Sequence, residues 1–238
     1  MKPIIGIVVR PHKTETNLDC MMVLDSYRRA VILSGGVPLF ICPTQNVNFS
    51  ITHPKDAPRL IEEEKEDLLR QLKLCDGIIM PGGSRMYDYD LFITDYAYKN
   101  DVPVFGICLG MQIMVSYLLK EEIRTNVLEK IDVAKYINHN ELELPYVHNV
   151  SIKEDSIIYK ILGKKEIRVN SRHKYVAKND VYDNFDIIAF SEEGFPEGIE
   201  VKNKRFFLGV QWHPETMYDY DENMRKIFEK FINEAKEK

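Results

Sequence analysis

The stretch from Val102 to Gln112 reads VPVFGICLGMQ, and it leaves the chain few folds to choose from. A short apolar run, Val104 to Ile107, passes directly into Gly106-Ile107-Cys108-Leu109-Gly110, and apolar residues then recur with helical period. A strand that turns at once into a helix around G-x-C-x-G is the cysteine form of a nucleophile elbow. Side chains at the two glycine positions collide with neighbouring backbone, and the corner residue is held in strained geometry. Cys108 thereby falls at the carboxyl edge of a sheet and at a helix N-terminus. Both placements favour the thiolate form. The Leu109 amide is positioned to donate to an oxyanion. Taken alone, the pentapeptide also fits a core cysteine beside helix-packing glycines.

The rest of the chain supplies the sheet that such a corner needs. Apolar runs at Ile4–Val9, Val37–Cys42, Gly77–Pro81 and Val104–Ile107 alternate with helical patterns at about 20–34, 60–74, 91–99 and 109–120. Strands rich in Ile and Val on both faces, separated by helices, indicate a parallel sheet covered on both sides. The first helix puts Val23, Tyr27, Ala30 and Val31 on one face and stops at Ser34-Gly35-Gly36 before Pro38. The last places Met224, Ile227, Phe228, Phe231, Ile232 and Ala235 along one stripe. Further strands are expected at Val147–Ile152, Glu166–Val169, Asp186–Phe190, Gly198–Val201 and Phe206–Gln211, which makes the later half an added antiparallel portion. The acidic run Glu62–Asp67 reads as the solvated first turn of a helix. No linker or repeat interrupts residues 1–238, so one α/β domain is expected.

Composition closes off several function classes. Lys and Arg total 32 against 37 Asp and Glu, a net charge of −5, so no basic surface for nucleic acid is expected. No run of 18 apolar residues is present to span a membrane, and MKPIIGIVVRPHK lacks the features of a signal peptide. A cytoplasmic location is expected. Cys20, Cys42, Cys75 and Cys108 are too sparse for a disulfide scaffold. The six histidines are scattered, with no H-E-x-x-H and no Cys/His quartet, so no metal site is expected.

Two further units give Cys108 its partners. Residues 206–215, FFLGVQWHPE, form an apolar strand ending in His213-Pro214-Glu215. In an extended segment residues i and i+2 point the same way, and Pro214 pushes His213 toward extended geometry. Imidazole beside thiol, with a carboxylate behind it, is the arrangement that makes and reprotonates a sulfur nucleophile. The run Asp76–Gly83, DGIIMPGG, is a strand breaking at Pro-Gly-Gly, where Gly82 and Gly83 let backbone amides approach a ligand. Gly83 is the candidate for a second oxyanion donor. Each unit alone has a bland reading, a strand-capping histidine or a turn. Three such strand ends in one chain point to a cysteine hydrolase site.

With these motifs in place the chain resembles the class I glutamine amidotransferase-like superfamily. It is similar in particular to the gamma-glutamyl-gamma-aminobutyrate hydrolase branch, the free-standing gamma-glutamyl hydrolases. GIVVR, SGGVP, DGIIMPGG, PVFGICLGMQ, RVNSRH and FFLGVQWHPE carry the resemblance, with VNSRH the pointer to the branch. It implies a flavodoxin-like three-layer sandwich with Cys108 as nucleophile, His213 as base, Glu215 as its support, and the Gly83 and Leu109 amides as oxyanion hole. Gly82, Gln112, Asn170, Ser171 and His173 are implied to border the gamma-glutamyl group of a small-molecule substrate. No cofactor or metal is implied. The implied reaction cleaves a gamma-glutamyl amide through a thioester on Cys108; the alternative is a glutaminase subunit passing ammonia to a synthase on a separate chain.

The chain also departs from the family pattern. Ser84-Arg85-Met86-Tyr87 follows the Gly-Gly where an Asp is usual, Lys174 and Tyr175 stand where the pattern favours His then Gln, and Arg124–Tyr146 lacks a glycine-rich continuation. These loops bear on the leaving amine. His173 either contacts substrate or anchors a loop, His148 is read as structural in a turn, and Arg85 and Arg172 are surface residues that alternatively attract a substrate carboxylate. Exposed Tyr and Phe residues leave a homodimer open.

Overall fold

Runs of Ile, Val, Phe and Met that no water reaches form the centre of the molecule. The computed structural model describes residues 1–49, 58–120, 127–178 and 184–237; positions 124–126 of the divergent loop lie outside them. The chain opens with β1 (Ile4–Val8) and a hairpin of β2 (Arg10–Lys13) and β3 (Asp19–Met22), then α1 (Asp25–Leu33) and β4 (Val37–Ile41). Next come α2 (Glu62–Leu72), β5 (Gly77–Met80), α3 (Asp88–Lys99), β6 (Val104–Ile107) and α4 (Leu109–Leu118). The second half holds β7 (Leu128–Lys130), β8 (Asn140–Glu141), β9 (His148–Ile152), α5 (Ile157–Leu162), β10 (Glu166–Val169), β11 (Ser171–Arg172) and β12 (Tyr175–Ala177). It ends with β13 (Asp186–Ser191), β14 (Pro196–Glu200), β15 (Phe207–Val210), α6 (Pro214–Met217) and α7 (Glu222–Lys236).

Nine strands make one sheet in the order β10-β9-β13-β14-β15-β6-β5-β1-β4. From β4 to β15 the pairings are parallel, and from β15 to β10 antiparallel. Side chains alternate across the parallel strands. Ile79, Phe105 and Ile107 face a core shared with α1 and α7, whereas Ile78, Met80 and Val104 face one shared with α2, α3 and α4. The result is the expected flavodoxin-like sandwich with an antiparallel extension. Among the described residues, no helix is long and apolar enough to cross a membrane.

Local chemistry sets the ends of the elements. α1 stops where Gly35 takes φ of 93° and Gly36 N–H returns to Val31 O at 2.9 Å, a glycine stop that a side chain would strain. The Asp221 carboxylate caps α7 by accepting from Asn223 N–H at 2.8 Å. Two expectations need correction. The first helix begins at Asp25, not near 20, because Asp19–Met22 pair with Arg10–Lys13 across a turn in which Asn17 adopts φ of 62°. The third begins at Asp88, where the Asp90 carboxylate accepts from Tyr87 N–H at 2.9 Å.

Candidate active site

β6 delivers Cys108 to the sheet edge, and sterics hold it there. Cys108 adopts φ of 53° and ψ of −104° as the N-cap of α4, a conformation that L residues rarely take. Its N–H donates to Val210 O of β15 at 2.8 Å, and its carbonyl accepts from Gln112 N–H at 3.2 Å. A Cβ on Gly110 would lie 2.0 Å from the carbonyl oxygen of Met80, and one on Gly106 would lie 2.9 Å from the Gly110 carbonyl carbon. Both glycines are therefore required for α4 to pack against β5 and β6. Leu109 opens the helix, so its amide has no intrahelical acceptor.

His213 follows β15 directly. It is the N-cap of α6, with Pro214 at the first helical position. The extended geometry expected for His213–Glu215 is thus replaced by a helical first turn, which still brings His213 Nδ1 within 2.7 Å of Glu215 Oε1. Both residues are buried. Burial works against the imidazolium, but the Glu215 and Cys108 charges and a hydrogen bond with Cys108 raise the His213 pKa to about 10. An imidazole held between carboxylate and thiol can generate a thiolate and later return a proton.

The Pro-Gly-Gly turn closes over this pair. A Cβ on Gly82 would lie 2.8 Å from His213 Cε1 and 3.6 Å from Cys108 Cβ; one on Gly83 would meet Leu109 Cδ2 at 2.9 Å. The Gly82 N–H donates to the Tyr27 hydroxyl at 2.9 Å. Tyr27, read from sequence only as a core residue, is fully enclosed, and burial followed by the Glu215 charge pushes its phenol pKa upward. The buried Arg10 guanidinium donates to Pro81 O at 3.1 Å and pairs with Asp90, fixing the turn from below. Beside Gly83, Arg10, Ser84, Arg85 and Tyr87 line a cavity of about 300 Å³.

The residues expected around the gamma-glutamyl group divide. Gln112 is buried near the elbow, its amide donating to Tyr175 O at 3.0 Å and Gln211 Oε1 at 3.2 Å. Asn170 is turned to the protein: its Oδ1 accepts from His213 N–H at 2.8 Å, and its Nδ2 donates to His213 O at 3.0 Å and Thr216 Oγ1 at 2.9 Å. Ser171 Oγ bonds His139 Nδ1 at 3.1 Å, and His173 Nδ1 donates to Tyr175 O at 3.2 Å. Three of the scattered histidines come together in space. His139, His148, His173 and Glu197 are all buried, with ligand atoms within 4.8 Å of one another. His148 begins β9 and is not in a turn. Burial, reinforced by the charge of His173, pushes the His139 pKa down to about 4, and burial pushes that of His173 down to about 3. Burial pushes Glu197 up to about 7.

Comparison with known proteins gives the family and supports the fold. The family model described as peptidase C26 matches residues 87–215, which include Cys108, His213 and Glu215. The CTP synthase of Sulfurisphaera tokodaii is 31% identical over 175 residues, 64% of this chain and 33% of that protein. The CTP synthase of Treponema denticola is 35% identical over 176 residues, 64% of this chain and 33% of that one. The chain therefore spans about a third of the length of these relatives. A Rickettsia prowazekii protein described as glutamine amidotransferase-like is 23% identical and 92% covered in both directions. Among solved structures, the glutaminase domain of Trypanosoma brucei CTP synthase, determined with bound acivicin, matches with a TM-score of 0.70 at 20% identity over 99% of this chain and 94% of that one. A glutamine amidotransferase of Thermotoga maritima gives 0.59 at 14% identity over 100% and 97%. These structural likenesses carry the fold. With more than half its length matched by the family model, the chain belongs to the peptidase C26 family of the class I glutamine amidotransferase-like superfamily, whose chemistry is hydrolysis of C–N bonds.

Proposed function

We propose that the chain is a glutaminase that releases ammonia from the side-chain amide of glutamine for a synthase on another polypeptide. The Cys108 thiolate attacks the amide carbon, and the oxyanion is held by the Gly83 and Leu109 amides. The His213 imidazolium gives its proton to the departing nitrogen, the C–N bond breaks, and ammonia leaves behind a glutamyl thioester. His213 then takes a proton from water, the hydroxide attacks the thioester, and the C–S bond breaks to release glutamate. Glu215 holds the imidazole and offsets its positive charge. The observation that carries this reading is the buried Cys108–His213–Glu215 constellation at the helix N-terminus.

Two facts favour a synthase partner. The Sulfurisphaera and Treponema relatives, at 31% and 35% identity, are synthases of which this chain matches about a third. In the pointer to the free-standing hydrolase branch, Asn170, Ser171 and His173 have their side chains committed to the His213 backbone and the histidine cluster. Hydrolysis of a larger gamma-glutamyl amide is the second reading, supported by the full-length likeness to the Rickettsia protein.

Glutamate release from glutamine, a gamma-glutamyl polyamine and other gamma-glutamyl amides distinguishes the two. Slow turnover of glutamine and negligible turnover of the conjugates is expected, with none by Cys108→Ala. Strong preference for a conjugate establishes the second reading, and undiminished hydrolysis by Cys108→Ala overturns both.

A further inference from the structure

Four buried polar atoms that take no hydrogen bond from the protein crowd one place, beside His139 Nδ1: His148 Nε2, His173 Nε2 and both carboxylate oxygens of Glu197. Buried polar atoms are ordinarily satisfied, so such a concentration calls for an explanation. The geometry supplies one. Glu197 Oε1 lies 3.4 Å from His173 Nε2, 3.8 Å from His148 Nε2 and 3.8 Å from His139 Nδ1. Ligands about 2.0–2.1 Å from a tetrahedral zinc ion stand roughly 3.3 Å apart. A contraction of about half an ångström or less at each of these contacts reaches that spacing.

We propose that His139, His148, His173 and Glu197 bind one divalent transition-metal ion, zinc by preference, which ties β9 and β14 of the sheet to the β8–β11 ribbon. The far nitrogen of each imidazole already faces an acceptor. His148 Nδ1 donates to Asn149 O at 3.0 Å, His173 Nδ1 donates to Tyr175 O at 3.2 Å, and His139 Nε2 faces Glu193 Oε1 at 3.6 Å. Such outer partners fix the tautomer that turns a lone pair inward, the usual support of a metal-bound histidine. For His139, the Ser171 hydroxyl that now bonds Nδ1 yields its place to the ion.

Imidazole nitrogen with one carboxylate selects zinc or a neighbouring transition metal over magnesium or calcium. Four protein ligands leave no open position, so the ion is structural. His139 and His173 also line a cavity of about 520 Å³, which gives the ion a route in. Through its backbone Glu197 accepts from Gln211 N–H at 2.8 Å, two residues before His213, while Asn170, the neighbour of Ser171, clamps His213 itself.

The test is elemental analysis of the full chain, free of any histidine tag, after titration with zinc chloride and dialysis against metal-free buffer. Wild type and Cys108→Ala should each retain about one zinc per chain, and Glu197→Gln and His148→Gln less than about a tenth of that. Circular dichroism establishes that the variants are folded, and zinc should raise the melting temperature of wild type and Cys108→Ala but not of Glu197→Gln or His148→Gln. Cobalt(II) should give a tetrahedral visible spectrum without a thiolate charge-transfer band. Folded wild type that retains no zinc, or a Glu197→Gln variant that retains as much as wild type, overturns the site; so does a thiolate band. Because the readout is metal content and Cys108→Ala is expected to score as wild type, the outcome does not depend on the glutaminase reading.

Discussion

Asn170→Ala separates two roles for one residue. As a substrate contact, its loss raises KM; as a clamp on the base, its loss lowers kcat. Asn170 is 1% exposed, and both ends of its amide are bonded to the His213–Thr216 turn. After truncation the His213 carbonyl still accepts from the Thr216 hydroxyl at 3.0 Å and from Thr216 N–H at 3.2 Å. The His213 N–H, by contrast, loses its acceptor at a buried position, which costs about 1–3 kcal/mol of stability. The same loss frees the peptide that aims the imidazole at Cys108, and a shift of that kind lowers kcat by up to about 100-fold. Steady-state glutamate release and urea unfolding measure the two quantities on one preparation. A variant with raised KM, unchanged kcat and unchanged stability refutes the clamp and returns Asn170 to the substrate.

Three other outcomes follow from the site. Glu215→Gln removes the largest charge that supports the His213 imidazolium against burial, so the His213 pKa falls from about 10 and the alkaline limb of the kcat/KM profile moves to lower pH; an unmoved limb assigns it to another group. Cys108→Gly should be more stable than Cys108→Ala by about 1–2 kcal/mol in urea unfolding, because φ of 53° strains any residue with a Cβ, and the reverse order contradicts the strained elbow. Asp90→Asn leaves the buried Arg10 charge uncompensated and should cost about 3–5 kcal/mol, read by the same unfolding assay, with a loss below about 1 kcal/mol counting against the pair as a support of the Pro-Gly-Gly turn.

What could be read from the sequence is what sterics and burial enforce locally. Four of the five parallel strands, β1, β5, β6 and β15, announce themselves because both faces are apolar, and G-x-C-x-G because only glycine tolerates the Met80 carbonyl beside Gly110. The β2–β3 hairpin gave no such signal. Its turn uses Asn17 where a glycine would have marked it, and Val23 extends the helical spacing of α1 backward. His139, His148, His173 and Glu197 come from four separate segments, so no spacing rule joins them. Glu197 itself falls outside the strand expected at Gly198–Val201, so its place in the buried strand β14 left no trace either.

That difference in legibility reflects how the two halves of the site are built. Cys108 is held by contacts that allow no alternative: a glycine against a carbonyl, a backbone bond to Val210, and the start of α4. His213 is held by polar groups: Glu215, the Asn170 amide and a backbone chain running through Gln211 to Glu197. Close packing is insensitive to charge, whereas a buried polar network strengthens or fails with the protonation and ligation of its members. A change in the antiparallel half therefore reaches His213 before it reaches Cys108. The placement of the sulfur is a property of the parallel core, and the orientation of the imidazole is a property of the polar network behind it.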